Sequence, residues 1–397
     1  MTPQSEFYVL LAIHIILVAL ITISSKCLLN LNDNSSHPYM LSCLFFFSKA
    51  LNLLVDFFSS TEDDTEKIIP IKDLIPDQST SEITIPKIDY SKVDYTLMNT
   101  IDNLAERLPM PYSILVFVAM VDIVNVTISF YALKMTYGTV YSFIAMINVA
   151  NIFSLCYYNR FEKISKQMLI GNIISYLSII AYIIYYLSDK EKFDQLLGAI
   201  LLFVSMILSA IIFAMTNIFI LLTYRVNAIK LNGVESVIAF FVYIIILICM
   251  THISCDDSYK KYVCNGNSYM ELVGDFFSSE SSNSGMKYLH MLIFVVCVCA
   301  YFAIEDSVRR NKFNSKIAFV GKEFGVVLIV FLVMFFEKSE TIVPKSAQEE
   351  INWGEKIIGI VLFIGVIISN EVVEMKFLKE KKEEGNMYDE NKSATIN

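Results

Sequence analysis

Charged and amide side chains inside otherwise apolar stretches are the residues of this sequence best suited to chemistry. Asp122 lies well inside one such stretch, and Asn125 follows three positions later, so the two share a helix face. A charge within lipid costs several kcal/mol unless it faces a partner or water. Asp122 is therefore predicted to handle a substrate, a proton or a counter-charge.

Other polar side chains recur in the apolar stretches at helical spacing. Asn148 and Asn151 lie about one turn apart, and Glu323 is predicted to face a cavity while its neighbour Lys322 reaches the interface. The predicted solute-binding residues are Asp122, Asn125, Asn148, Asn151, Ser25, Thr216 and Glu323. A structural alternative stays open, because small polar side chains also bond to neighbouring membrane helices. It applies in particular to Ser129, Ser205, Ser209 and Thr216.

Two further residues have two readings each. Lys26 ends the first apolar stretch and either lies in the site or extends its ammonium group to the membrane interface. His14 has a side chain that can titrate near physiological pH, but a packing role is the preferred reading.

No catalytic residues, metal site or cofactor are predicted. The sequence contains no HExxH pattern for zinc and no GxxxxGK[ST] loop for a nucleotide phosphate. The net charge of −9 argues against a nucleic-acid partner. Transport coupled to ATP hydrolysis by this chain is not expected.

The elements that position these residues are predicted to be membrane helices. The chain of 397 residues is 55% hydrophobic and 18% charged, and its apolar residues form blocks of about 20, enough to cross the hydrocarbon layer as a helix. The blocks do not alternate, which disfavours barrel strands. We predict an all-α membrane protein with ten spans: Phe7–Leu29, Tyr39–Phe58, Ser113–Met135, Thr139–Tyr158, Met168–Leu187, Leu196–Tyr224, Val237–Ile253, Tyr288–Ile304, Ile317–Phe336 and Ile357–Val373.

The predicted spans divide into two halves of five, residues 1–187 and 196–374, followed by a tail at 375–397. Residues 59–111 form an acidic, proline-containing stretch that is predicted to be an irregular loop. Lys and Arg are more frequent in the short loops on the side of the N-terminus, so both termini and the acidic loop are predicted to be cytoplasmic.

Most of the eight cysteines lie in or beside apolar blocks, where a free thiol behaves as a small hydrophobe. Cys255 and Cys264 alone share a polar loop, predicted on the lumenal or extracellular side. That compartment permits a disulfide, and both the bonded and the free state stay open.

Several short motifs resemble the F subgroup of the nucleotide-sugar-transporter-like solute carriers, within the drug/metabolite transporter superfamily. The first span ends in LITISSKC (Leu20–Cys27), similar to the family's small-residue and lysine ending. The remaining similar motifs are His37-Pro38, Asp122 with Tyr131-Ala132-Leu133, Ser142-Phe143 with Met146, Tyr224, Asn227, Gly233 and Glu235, Phe302-Ala303, and Gly359, Gly365 and Asn370. The resemblance extends over nearly the whole chain.

The resemblance implies two inverted five-helix repeats of the EamA type, alternating access, and an organic solute such as a nucleotide sugar, amino acid, peptide or drug. Chloroquine-resistance-transporter-like relatives also carry a cysteine-bearing lumenal loop at the position of Cys255 and Cys264. The sequence departs from the family at Ile144-Ala145, where a glutamine is usual, at Ser48-Lys49, where Gly-Glu is usual, at Asn148, and at Lys322–Gly325. No particular substrate is therefore carried over.

The sequence thus predicts a secondary transporter or exchanger of a small organic solute, with proton or solute counter-transport, in an endomembrane such as that of the lysosome, vacuole or Golgi. Its partners are the solute and membrane lipid, and the oligomeric state is left open. The alternatives are a membrane adaptor that binds partners through residues 59–111, and a lipid-modifying enzyme, the least favoured of the three.

Overall fold

The computed structural model describes residues 3–30, 38–54, 112–148, 165–188, 192–213, 215–216, 228–250, 284–310, 325–330 and 353–369. Within these ranges the chain is almost entirely helical and contains no strand. We number nine helices in chain order: α1 Pro3–Asn30, α2 Pro38–Ala50, α3 Tyr112–Met135, α4 Gly138–Ala145, α5 Lys166–Leu187, α6 Phe193–Phe213, α7 Ala228–Met250, α8 Ser284–Arg310 and α9 Trp353–Ser369. Residues 325–330 are also helical.

Six helices of the described chain are long and apolar enough to cross a membrane: Phe7–Leu29, Ser113–Met135, Lys166–Leu187, Phe193–Phe213, Leu231–Cys249 and Gly285–Ile304. Large apolar side chains on their outer faces are exposed. On α5, Leu177 is 58% exposed and Ile184 is 61% exposed. A continuous apolar surface of this kind is stable in lipid and not in water. The protein is therefore an integral membrane protein, as predicted.

Six of the ten predicted spans overlap these long apolar helices and differ from them mainly at their ends. The other four overlap shorter described helices, so the count of ten spans stays a prediction. The bounds Phe7–Leu29 and Ser113–Met135 coincide with two apolar helices. The predicted seventh span begins at Val237, whereas α7 begins at Ala228. Residues 59–111, the 375–397 tail, Cys255 and Cys264 lie outside the described residues.

The helices pack in a definite set of pairs. The most extensive contacts join α5 to α9, α1 to α8, α3 to α6 and α2 to α7. Small residues allow α5 and α9 to approach closely: a Cβ added at Gly171 would meet the backbone of Ser369, and one at Gly365 would meet Ser175. The largest apolar core lies among α2, α3, α7 and α8, and includes Phe46, Phe130, Tyr243 and Phe294.

Candidate functional site

A buried cluster of charged side chains lies where α2, α3, α7 and α8 meet. Lys49 of α2 has its Nζ 2.9 Å from Oδ2 of Asp122 on α3. The same Nζ lies 3.6 Å from Oε1 of Glu235 on α7. On the remaining side, Nζ is 4.9 Å from the centre of the Phe302 ring on α8. We call Lys49, Asp122 and Glu235 the ionic cluster.

The ionic cluster lies inside the helix bundle. Its side chains are 6%, 8% and 2% exposed for Lys49, Asp122 and Glu235. The hydrogen bond from Lys49 to Asp122 is direct and charge-assisted. Oε1 of Glu235, by contrast, has no hydrogen-bond partner among the described residues. The single ammonium group therefore holds one carboxyl firmly and a second one at longer range.

The ionic cluster joins different parts of the four helices. Lys49 lies at the C-terminal end of α2, and Phe302 lies close to the C-terminal end of the apolar part of α8. Asp122 and Glu235 lie in the N-terminal halves of α3 and α7.

Aromatic rings surround the ionic cluster on the side of the bundle interior. The Phe45 ring packs edge-on against Phe302 at 5.8 Å between centroids, and Phe46 lies 5.9 Å from Tyr243. The hydroxyl of Tyr243 shares a hydrogen bond with Thr127 on α3. The side chain of Asn52 donates to the carbonyl oxygen of Lys49 and so fixes the backbone that carries the lysine. The charges thus sit in a rigid and largely apolar setting.

The predicted site residue Asp122 belongs to the ionic cluster, and the other described ones have different surroundings. Asn125 accepts a hydrogen bond of 2.8 Å from the Ser205 hydroxyl of α6. Asn148 donates to the Ser209 hydroxyl of α6 at 3.3 Å, and its Oδ1 has no hydrogen-bond partner among the described residues. Both amides therefore form contacts between helices.

Two predicted hydroxyl residues bond within their own chain segments. Ser25 donates to the carbonyl oxygen of Ile21, and Thr216 donates to that of Ile212. Such bonds to the preceding turn are common for hydroxyls in membrane helices. The last two predicted residues, Asn151 and Glu323, lie outside the described residues. A solute-binding role for the set stays a prediction.

Lys26, for which two readings were open, is buried and bonds to another helix. It is 5% exposed, and its ammonium group donates to the carbonyl oxygens of Leu133 and Thr136. The Leu133 carbonyl lies in the last turn of α3 and the Thr136 carbonyl lies just after it, where no further helical N–H is available and where the helix dipole favours a cation. Lys26 thus fixes the end of α1 to the end of α3.

His14 lies buried between α1 and α8, and its packing role stays a prediction. It is 2% exposed on α1, and its ring meets the Tyr301 ring of α8 edge-on at 4.6 Å between centroids.

A second buried ion pair joins α6 and α9. Nζ of Lys192 lies 3.4 Å from Oε1 of Glu355, whose side chain is fully buried, and 3.3 Å from the Tyr185 hydroxyl. The hydroxyl of Tyr182 donates to the backbone carbonyl of Glu355. Burial acts to lower the pKa of Lys192, but the Tyr185 hydrogen bond and the Glu355 charge outweigh it and raise this pKa above its ordinary value.

Sequence reasoning missed Lys49 and Glu235 as site residues. Lys49 was recognisable as a lysine on one face with Ser42 and Asn52, but nothing in the sequence identified its partner. Glu235 precedes the predicted seventh span and so seemed to belong to a loop. Because α7 begins at Ala228, Glu235 lies within the helix and is 1% exposed.

The described residues contain no group of three or more His, Cys, Asp and Glu side chains arranged to hold a metal ion. The ionic cluster places two buried carboxyl groups around one ammonium group. No protein-family model matches the chain, and no curated protein sequence matches it.

Proposed function

We propose that this protein is a secondary transporter of a small organic solute, working by alternating access in an endomembrane with both termini in the cytoplasm. The observation that carries the proposal is the ionic cluster, a set of charges buried in the interior of a lipid-embedded helix bundle. Buried ionisable residues are costly in membrane helices and are characteristic of ion and solute pathways. In a purely structural bundle, apolar side chains would fill the same space without this cost, so stability alone does not account for the buried charges.

The pairing of the helices supports a fold of two inverted repeats. In this fold α1–α5 form the first repeat, and α6, α7, α8, residues 325–330 and α9 form the second. The counterparts are then α1 and α6, α2 and α7, α3 and α8, α4 and residues 325–330, and α5 and α9. If each helix is exchanged for its counterpart, the contact of α1 with α8 becomes the contact of α6 with α3, and both pairs pack extensively. The contact of α2 with α8 becomes that of α7 with α3, and both are present. The pairs α2 with α7 and α5 with α9 exchange onto themselves.

The contacts of the helical segment 325–330 also have a counterpart in the other repeat. Val326 and Val330 pack against Ala19 and Ile23 of α1. The exchanged pair is α4 with α6, where Ile144 and Leu202 share a core. Such a pattern is expected for two repeats related by a two-fold axis in the membrane plane. In folds of this type the substrate site lies at the interface between the repeats.

The ionic cluster crosses this interface. Lys49 and Asp122 belong to the first repeat, and Glu235 and Phe302 belong to the second. Movement of one repeat against the other therefore changes the distance between Lys49 and Glu235. A charge pair whose separation changes in this way couples the protonation state of the buried residues to the side of the membrane on which the cavity opens.

The test is solute uptake by purified protein in proteoliposomes, with a panel of nucleotide sugars, amino acids and cationic drugs. At least one solute is expected to accumulate above the level of empty liposomes. Asp122→Asn is expected to reduce its flux by about tenfold or more, because it removes the direct partner of Lys49. Asp194→Asn, which neutralises a partly exposed carboxylate in the first turn of α6, is the matched control and should leave flux unchanged.

Absence of flux for every class of solute in the panel would contradict the proposal. Equal flux in the wild type and in Asp122→Asn would remove Asp122 from the mechanism.

A further inference from the structure

The charges of the ionic cluster do not balance. With both carboxyl groups ionised, Asp122 and Glu235 carry two negative charges against the one positive charge of Lys49. All three side chains are at least nine-tenths buried. An unbalanced charge in such a place is strongly unfavourable, whereas one bound proton makes the cluster neutral.

The charged groups that face Glu235 come from two of the helices packed on α7. These groups, among the described side chains, are Lys49 from α2 and Asp122 from α3. The ring of Phe302 on α8 packs against Lys49 and carries no charge. Further along α7 itself, the nearest titratable side chain is Tyr243, whose hydroxyl bonds to Thr127. Among the described residues, the positive charge that faces Glu235 comes from Lys49 alone.

We propose that Glu235 is a proton-binding site, which takes up and releases one proton. The coupling of this proton to solute movement rests on the proposed transport function, but the binding of the proton does not. In this step a carboxylate oxygen of Glu235 accepts a proton from a hydronium ion, a water molecule is released, and the cluster changes from a net charge of −1 to neutrality.

The geometry favours Glu235 over Asp122 as the protonated group. Lys49 donates directly to Asp122 at 2.9 Å, and such a bond stabilises the ionised carboxylate. Oε1 of Glu235 lies 3.6 Å from the same nitrogen and has no hydrogen bond among the described residues. Of the two carboxyl groups, Glu235 is therefore the one whose ionised form is less well stabilised, and it is the better placed to carry the proton.

The geometry also favours a proton over a larger cation. The ionic cluster is enclosed by four packed helices, with the ammonium group of Lys49 between its carboxyl groups and the Phe302 ring. A proton enters a carboxyl group without a cavity of its own. A metal ion or an organic ammonium group would have to displace Lys49 and separate the helices.

Protonation at this place has a mechanical consequence. Glu235 and Lys49 lie on the two proposed repeats, so their attraction holds the repeats together where the two residues meet. A neutral Glu235 attracts Lys49 less and favours separation here. A proton gradient across the membrane can then bias the side to which the protein opens.

The first test needs no substrate. Infrared difference spectra of the wild-type protein in lipid are recorded during a pH titration above about pH 6, where exposed carboxyl groups are already ionised. They are expected to show the C=O stretch of a protonated carboxyl group that disappears as pH rises. Glu235→Gln should abolish this band, whereas Asp194→Asn should retain it. Thermal unfolding of each variant checks that it is folded.

Absence of any titrating carboxyl band in the wild type overturns the proposal, and this result stands even if Glu235→Gln fails to fold. Persistence of the whole band in a folded Glu235→Gln overturns it as well.

The second test uses a transported solute from the panel, with and without an imposed pH gradient. The gradient is expected to stimulate uptake by the wild type. Glu235→Gln, which mimics the protonated residue, should lose this stimulation. Gradient-independent uptake by the wild type would overturn the coupling and leave transport intact. If no solute in the panel is transported, the transport function fails while the infrared result still decides whether Glu235 binds a proton.

Discussion

Lys49 on α2 and Glu235 on α7 face each other in the bundle interior, with Nζ 3.6 Å from Oε1. The lysine is at the same time hydrogen-bonded to Asp122 on α3. One side chain therefore determines the electrostatic balance of three helices. It also lies where residues from the two halves of the chain meet, which makes its replacement informative about both stability and function.

Lys49→Met is predicted to lower the free energy of unfolding at neutral pH by about 3–5 kcal/mol, because it leaves two buried carboxyl groups without their cation. Combining it with Asp122→Asn should cost less than the sum of the two single variants, since the amide has no charge left to be paired. Thermal and denaturant unfolding in detergent measure these differences.

Lys356→Met is the control for this prediction. Lys356 lies over the ring of Trp353, which is 78% exposed, so its loss should cost at most about 1 kcal/mol. A Lys49→Met protein as stable as Lys356→Met would show that the ionic cluster carries little energy. Strict additivity of the double variant would show that Lys49 and Asp122 are not coupled.

The sequence predicted the helices better than it predicted the contacts. The spans Phe7–Leu29 and Ser113–Met135 were found with their bounds, because each is an unbroken apolar run of membrane-spanning length. The start of α7 was missed because Asn232 and Glu235 interrupt the apolar pattern. Glu235 is buried only because a lysine from a distant part of the chain accompanies it, and hydropathy along the chain carries no sign of such a partner.

In the candidate site, too, the sequence predicted a buried residue but not its contacts. Asp122 was identified because a carboxylate deep in an apolar run needs a partner. Its partner Lys49 is 73 positions away, and only the packing of α2 against α3 brings the two together. Lys26 was ambiguous for a related reason, since the carbonyls that bind it become available only where α3 ends. Local sequence reveals the need for a partner, and tertiary structure supplies its identity.

Gly171→Ala is predicted to lower the free energy of unfolding by about 1–3 kcal/mol, because its new methyl group would meet the backbone of Ser369 and force α5 and α9 apart. Gly285→Ala is the matched control, since no heavy atom of the described residues lies within 4 Å of a Cβ there. The control should change stability by no more than about 0.5 kcal/mol. Equal melting temperatures for the two variants would contradict the close approach of α5 and α9.

Lys26→Met is predicted to destabilise the protein by about 1.5–3 kcal/mol, the usual contribution of hydrogen bonds to a charged group. The variant leaves the carbonyl oxygens of Leu133 and Thr136 without their cationic donor at the C-terminal end of α3. Hydrogen exchange should therefore become faster in the last turn of α3 and remain unchanged in the middle of α5. Unchanged exchange at the end of α3 would show that Lys26 does not stabilise this turn.

Lys192→Met is predicted to lower the free energy of unfolding by about 1–3 kcal/mol at neutral pH, because the buried carboxyl group of Glu355 loses a cationic partner that is itself partly exposed. The pKa of Lys192 is raised in the folded protein, so the stability it contributes is fully present below the ordinary lysine value of about 10.4. It is lost only as the pH rises through the higher folded pKa. The difference in melting temperature between the wild type and Lys192→Met should therefore be constant near neutrality and shrink in strong alkali.

Lys192→Arg distinguishes this titration from general alkaline damage. Arginine stays charged at the pH where lysine loses its proton. In alkali, Lys192→Arg should therefore still melt at a higher temperature than Lys192→Met, at a pH where the wild type no longer does. The comparison is made by melting curves of all three proteins across the same pH series. A gap between the wild type and Lys192→Met that widens with rising pH would contradict the raised pKa. A parallel decline of Lys192→Arg and the wild type would mean that Lys192 is not the group that titrates.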